Sequence, residues 1–317
     1  MVAHYVVPVK PSPARPAPAA TLVLLRDRPA GLFNDAGADL RQATHGGGGL
    51  AGPATDEATR ACLVPPTVHA GLAGPATEVL LIRRHRAAKF AAGDFVFPGG
   101  TLDADDHPAD APAWCRGPEP REAARVLGLE PGSGAALAYW IGAIRETFEE
   151  VGILLAHGPD GAPARVEASR LAAHRRACQA DPRAFWDMLS TERLTLATDA
   201  LVYFAHWITP AVNPLRFDTR FFASAAPPGQ EAAADEREIT EVRWLTPREA
   251  RDANARGELP LRAPTLKNLA LFEGAATAAE ALARVAGRAV RTIMPKVLGE
   301  GAARRVLMPG DVGYDDA

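Results

Sequence analysis

Arg145-Glu146-Thr147-Phe148-Glu149-Glu150-Val151-Gly152-Ile153 is the stretch from which the rest of the chain can be read. It closes a helix expected over Ala135 to Leu155, in which Ile144, Phe148, Val151 and Leu155 follow an i, i+4, i+7, i+11 pattern. At 100° per residue the other three fall within about 40° of Ile144, one apolar stripe facing a core. Glu146, Glu149 and Glu150 fall at about 200°, 140° and 240° from Ile144, so three carboxylates share the opposite face. Glutamates at i, i+3 and i+4 repel one another, more so when partly buried, and their grouping calls for a compensating cation. Mg²⁺ suits that need, being a hard ion that takes carboxylate oxygens and is often completed by substrate phosphates. Arg145 can reach Glu149 at i+4 and hold its orientation. An isolated ExxEE run is more often a solvated helix face. Here the helix follows Phe97-Pro98-Gly99-Gly100, and Gly152 breaks its composition.

With those residues in place, the chain resembles the Nudix hydrolase family, whose box reads G, five residues, E, seven residues, then REUxEExGU, with U bulky and apolar. The second half matches at every fixed charged and glycine position. The first half departs: the family's first glutamate falls at Asp106, and 38 residues separate it from Arg145 in place of seven. A split box, with Trp207-Ile208-Thr209-Pro210 and Arg216 to Phe222 further on, is similar to the coenzyme A diphosphatase-like subgroup, a likeness covering about residues 20 to 260. The resemblance implies an α/β fold, a Nudix-type α/β/α sandwich with a mixed central sheet and added helical insertions. It implies Mg²⁺ or Mn²⁺ as cofactor, held by Glu146, Glu149, Glu150 and the Gly100 carbonyl, and water attack on a diphosphate linked to a further group X. Coenzyme A or acyl-coenzyme A is the favoured substrate. Where many coenzyme A-cleaving relatives read LLTxR and GQVAFPGG, this chain has Leu80-Leu81-Ile82-Arg83-Arg84 and Gly93 to Gly100 as GDFVFPGG. ADP-ribose, dinucleotides and a catalytically silent nucleotide sensor therefore stay open. A general base is expected outside the box among Glu236, Glu238 and Glu241, with Glu238 the nominee and a solvated loop the bland alternative for each.

Composition agrees with a small-molecule enzyme. A chain of 317 residues is long enough for a sizeable core, and a net charge of −3 gives it no general attraction to polyanions. The expected partners are a nucleotide-like small molecule and at most a second copy of the chain as a homodimer, with neither nucleic acid nor membrane. Cys62, Cys115 and Cys178 form no CxxC pair and read as reduced thiols. With no signal-peptide core and no long apolar run, the expected location is cytoplasmic. Gly and Pro, 28 each, exceed the usual combined share of about 12% and forecast long loops.

The organisation expected is a flexible lead-in over 1–20, a Nudix domain over 21–260 and a helical and strand extension over 261–317 packed on it. Insertions are expected at about 27–75, 103–134 and 164–196. Strands are expected at Thr21 to Leu25, Glu78 to Arg84, Asp94 to Phe97, Leu201 to Ile208, Arg220 to Ser224, Val242 to Leu245 and Arg291 to Val297. Further helices are expected at Arg121 to Leu129, Ala164 to Ala180, Pro182 to Leu189, Arg248 to Arg256 with Thr246 as cap, and Thr265 to Ala286. Other side chains invite weaker readings. His85 with Arg83, Arg84, Arg86 and Lys89 forms a basic cluster suited to phosphates or to a solvated strand end. His174 and Cys178 read as packing, Asp218 and Arg220 as an ion pair, and Trp207, Phe217, Phe221 and Phe222 mainly as core, with an acyl pocket or base stack as the functional alternative.

Overall fold

The computed structural model describes residues 14–29, 75–131, 135–299 and 305–316. Most of the expected lead-in and of the insertion at 27–75 lies outside the described residues. Strands β1 (Ala17–Asp27), β2 (Thr77–Arg84), β3 (Phe95–Val96) and β4 (Gly99–Thr101) come first, then helices α1 (Pro120–Leu127) and α2 (Ala136–Val151). There follow β5 (Ala156–His157), α3 (Ala168–Ala180), α4 (Ala184–Glu192), β6 (Thr195–Leu196), β7 (Val202–Ile208), β8 (Phe217–Ala225) and β9 (Ile239–Leu245). The chain closes with α5 (Pro247–Ala255), α6 (Ala263–Ala270), α7 (Ala278–Val285), β10 (Thr292–Ile293), β11 (Lys296–Leu298) and β12 (Arg305–Leu307).

The main sheet has the order β10-β7-β8-β1-β2-β3, with β4 also on β1 and β9 also on β2. It is mixed: β1 runs parallel to β8 and β10 to β7, while the other pairings are antiparallel. The apolar run Leu22 to Leu25 explains the layering, since successive strand residues face opposite ways and both faces are covered. Leu22 and Leu24, with Leu80 and Ile82, pack against Ile141, Ile144 and Phe148 of α2. Val23 and Leu25, with Val79 and Leu81, pack against Leu269, Phe272, Ala281 and Val285 of the last helices. The expected α/β/α sandwich is thus observed. Helices α6 and α7, from the segment expected as a packed extension, help to build its second layer.

β1 and β2 pair only over Leu25↔Val79, Arg26↔Glu78 and Asp27↔Thr77. Beyond that they part, β1 going on to β4 at Ala19 to Thr21 and β2 to β3 at Ile82 and Arg83. The parting opens a cleft toward which α2 presents its carboxyl end. Gly99 makes this crossing workable, with φ of +148° and an imaginary Cβ only 2.4 Å from the Ala20 carbonyl oxygen.

Several boundaries differ from expectation for identifiable reasons. α2 stops at Val151, short of Leu155, because Gly152 takes the left-handed conformation and its N–H caps the Phe148 carbonyl at 2.8 Å. β1 starts at Ala17 inside the expected lead-in, with Pro18 among its first residues, where a missing donor costs least. The single helix expected at Thr265 to Ala286 is two, separated by a turn through Gly274 (φ +75°) and restarted by the Thr277 hydroxyl accepting from the Glu280 N–H. The strand expected at Arg291 to Val297 is two short pieces, with Pro295 between them. Strand β4 has only three residues, two of them glycine, too short for an alternating pattern. Thr246 caps α5 as expected, in a reciprocal pair with Glu249. Among the described residues no helix is long and apolar enough to cross a membrane.

Gly99→Ala combines left-handed strain with a clash against backbone. It is expected to cost at least about 3 kcal/mol, read as a fall in the denaturation midpoint, and a loss below about 1 kcal/mol would refute this account of the crossing.

Candidate active site

α2 is buried on almost every side; only Glu146 and Glu149 keep partial access to solvent. The carboxylate face is therefore the wall of an interior site and not the solvated face usual for an isolated ExxEE run. Arg145, 5% exposed, directs its guanidinium across the split box. Its Nε donates to Asp106 Oδ1 at 2.7 Å and one Nη to Asp106 Oδ2 at 3.0 Å. The same Nη reaches the Thr101 carbonyl at 3.3 Å and lies 3.0 Å from Glu146 Oε1. The other Nη donates to Glu149 Oε2 at 2.9 Å, the i+4 contact foreseen from the helix. Burial works to lower the Arg145 pKa, but the bond to Asp106 and the charges of Glu146 and Glu149 outweigh it and hold the guanidinium charged.

Glu150 Oε2 accepts from the Gly99 N–H at 2.8 Å, and its other oxygen lies 3.8 Å from an Arg84 Nη. The Gly100 main chain lies against Glu146, since a Cβ on Gly100 would meet that carboxyl carbon at 2.6 Å. The glycine-rich turn and the three glutamates are thus brought together. As they stand, no three His, Cys, Asp or Glu side chains among the described residues converge closely enough to hold an ion. Glu146 and Glu149 turn to Arg145, and Glu150 turns to Gly99.

The charge balance nevertheless fits a divalent cation. Asp106, Glu146, Glu149 and Glu150 set four carboxylates against the guanidiniums of Arg84 and Arg145, two negative charges in excess when all are ionised. Glu149 Oε1 is buried and makes no hydrogen bond. Burial pushes the Glu149 carboxyl up to about 7 despite the opposing pull of Arg145. Burial likewise raises Glu146, again against Arg145, and holds Glu150 well above the ordinary range, with the Glu146 charge adding to the effect. Three carboxylates that resist ionisation for lack of countercharge, at least one with an idle oxygen, make a donor set for Mg²⁺ or Mn²⁺.

These glutamates line one wall of a cavity of about 1140 Å³. Arg84, His85 and Lys89 of the expected basic cluster line it too, and Arg84 Nε is buried without a partner. Arg83 turns instead to Glu241 at 3.5 Å. Of the three nominees for a base, Glu238 lines the cavity, and its charge bears on both Glu146 and Glu150. Glu241 is tied to Arg83 and Arg243. Glu236 sits in the loop at φ +62° and is not part of the lining. Trp207, Phe217 and Phe221 reach the cavity, whereas Phe222 packs in the core on Trp140 and Tyr203. Asp218 and Arg220 do pair, joined by His206, with Arg220 5.1 Å from the centre of the Tyr139 ring. His174 binds Glu192 at 2.8 Å, and burial raises the Cys178 thiol to about 12, so neither is poised for chemistry.

Two further residues escape a reading by motif. Arg175 and Gln179 of α3 donate to the main-chain carbonyls of Glu149 and Glu150 at 2.6 to 2.9 Å. They satisfy the open carboxyl end of α2 and fix the turn that carries both glutamates. The i, i+4 spacing of these two polar side chains on α3 was the only sequence signal.

Residues 131–271 match the family model described as the NUDT19 Nudix domain. Over that segment the chain is similar to Nudix hydrolases. Among curated relatives, acyl-coenzyme A diphosphatase NUDT19 of Xenopus laevis is 30% identical over 209 residues, covering 55% of this chain and 53% of that protein. The human protein of that name is 28% identical over 270 residues, covering 75% of this chain and 72% of its own length. The chain thus spans about half the length of the first of these relatives. A crystal structure of a Nudix hydrolase from Alicyclobacillus acidocaldarius superposes with a TM-score of 0.61 at 22% identity, over 87% of this chain and 99% of that one, a likeness in fold.

The raised Glu149 pKa gives a signed test. In the folded chain the group protonates near 7 and in the unfolded chain at its ordinary value near 4.5, so the folded state holds the extra proton between those limits and stability falls as pH rises through them. Glu149→Gln, which removes the charge, should match wild type at pH 5 and exceed it at pH 8 by on the order of 2 kcal/mol in EDTA-treated protein. Mg²⁺ should then raise the wild-type Tm at pH 8 more than that of the variant. Equal stabilities at pH 8 would refute the charge excess.

Proposed function

We propose that this chain hydrolyses the diphosphate linkage of coenzyme A or acyl-coenzyme A, with Glu146, Glu149, Glu150 and the Gly100 carbonyl holding Mg²⁺ or Mn²⁺. The observation that carries the reading is the pairing, in one cavity, of a carboxylate cluster short of positive charge with the basic side chains Arg84, His85 and Lys89. A diphosphate together with a divalent cation would satisfy both sets of side chains at once. The names of the curated relatives favour coenzyme A over other nucleoside diphosphates.

When bound, the metal supplies charge neutralisation for the diphosphate and activation of the attacking water. The protein supplies position. Arg84 and Lys89 orient the phosphate oxygens, and Arg145 keeps Glu149 in a single rotamer by pinning one of its oxygens. Glu238 accepts the proton from water at its carboxylate, on the cavity wall facing Glu146 and Glu150. Phosphoryl transfer asks for little more than this, because its barrier yields mainly to alignment and charge stabilisation.

The test is turnover of coenzyme A, octanoyl-coenzyme A, ADP-ribose, NADH, diadenosine polyphosphates and NTPs with Mg²⁺ or Mn²⁺, in ¹⁸O-water with mass detection. Coenzyme A and its thioester should be cleaved with one ¹⁸O incorporated. Glu149→Gln should lower kcat by at least about 10²-fold, and Glu238→Gln by about 10² to 10⁴-fold with loss of the acid limb of the pH profile. Preferential cleavage of ADP-ribose or a dinucleotide would move the substrate assignment, and binding of a panel member without turnover would favour a sensor.

A further inference from the structure

The same cavity has an apolar part of its lining that hydrolysis of a diphosphate does not use. β11 and β12 form an antiparallel hairpin with Val297 opposite Val306, so these two side chains share a face, and both line the cavity together with Met308. Trp207, Leu215 and Phe217, from β7, β8 and the loop joining them, line the same cavity. Val306 is 50% exposed and Leu215 41%, among the few large apolar side chains so open in the described residues. The hairpin is held firmly: Lys296 Nζ donates to the Tyr314 carbonyl at 2.7 Å, and the Tyr314 hydroxyl donates to the Met294 carbonyl at 2.7 Å. Phe217 is braced edge-on by Phe90 at 5.0 Å.

A ligand filling this cavity must be anionic at one end and apolar at the other. The polar side chains Arg84, His85, Glu150 and Glu238 line this cavity together, with Arg84 beside Glu150 and the His85 main-chain N–H donating to the Glu238 carbonyl. The apolar part of the lining offers valine, leucine, methionine and aromatic surface. We propose that the chamber between the C-terminal hairpin and the β7–β8 loop binds the acyl chain of an acyl-coenzyme A and makes the hairpin the element that selects thioesters over free coenzyme A. The proposal rests on the diphosphatase reading and narrows its substrate. The long flexible arm between diphosphate and thioester lets one molecule engage both, and each methylene buried raises affinity by up to about fourfold.

The experiment compares kcat/KM for free, acetyl-, octanoyl- and palmitoyl-coenzyme A in wild type, Val306→Asp and Leu215→Gln. Both side chains are exposed, so neither substitution threatens the core, and they come from separate elements, β12 and the β7–β8 loop. Wild type should prefer octanoyl- to acetyl-coenzyme A by at least about tenfold, and each variant should cut that ratio by at least about fivefold. A wild-type ratio near one, or a ratio that both variants leave intact, would overturn the chamber while leaving the diphosphatase standing. If wild type cleaves none of the four, the diphosphatase reading falls and takes the chamber with it.

Discussion

A guanidinium with almost no access to water holds the two halves of the split box together. Arg145 leaves a buried helix, grips both oxygens of Asp106 on the far side of the insertion, touches the Thr101 carbonyl in the glycine-rich turn, and lies against Glu146 and Glu149. Taking such a charge out of water costs several kcal/mol, repaid only when nearly every N–H has a partner in good geometry. Here the fork is fully engaged. The aspartate that stands where the family box has glutamate is therefore spent on Arg145, and its shorter side chain reaches because Asp106 sits in a 3₁₀ turn capped by Asp103. The position keeps its charge and serves to aim the arginine that aims Glu149.

This arrangement is costly without a cation. A core helix normally places its apolar residues inward and its charged ones outward, whereas α2 buries Arg145 and Glu150 along with Phe148 and Val151. The carboxylates respond by holding protons to higher pH than usual, a sign that burial outweighs the positive charge supplied by Arg84 and Arg145. Functional sites are where proteins tolerate this kind of penalty. The surrounding sandwich supplies the stability that permits it, with two apolar cores on the two faces of the sheet.

The principal strands and the helix of the box were legible in the sequence because they rest on periodicities that survive burial, such as Thr21 to Leu25 and Ile144 to Val151, whereas the sandwich was legible only through the resemblance to the Nudix family. The three glutamates and Arg145 were legible because their spacing is dictated by one helical turn. What escaped has physical causes. β4 is held by pairing with Ala19 to Thr21, a contact between distant residues that leaves no local pattern. The roles of Arg175 and Gln179 depend on α3 crossing the end of α2, which no spacing within α3 encodes. That Glu241 turns to Arg83 while Glu238 lines the cavity follows from the register of β9 on β2, with Glu241 opposite Arg83 and so drawn to the strand's own cation.

The insertion that splits the box is tolerated for a related reason. Lengthening a loop costs little, about 0.6 kcal/mol per doubling, if its ends stay where the site needs them. At the near end Asp106 is clamped by Arg145, and the Asp105 carbonyl accepts from Trp186 Nε1 of α4 at 2.9 Å. Further along, Trp114 meets Trp186 edge-on, and Cys115 bridges to Leu196 of β6. At the far end α1 packs on α2 through Ala123, Ala124 and Leu127. The segment carrying α3 and α4, where a further insertion was expected, thus anchors the stretch between the two halves of the box and caps the helix of the box. The two segments support each other around α2, so the helical half of the motif is held in place although 38 residues, not seven, separate it from Asp106.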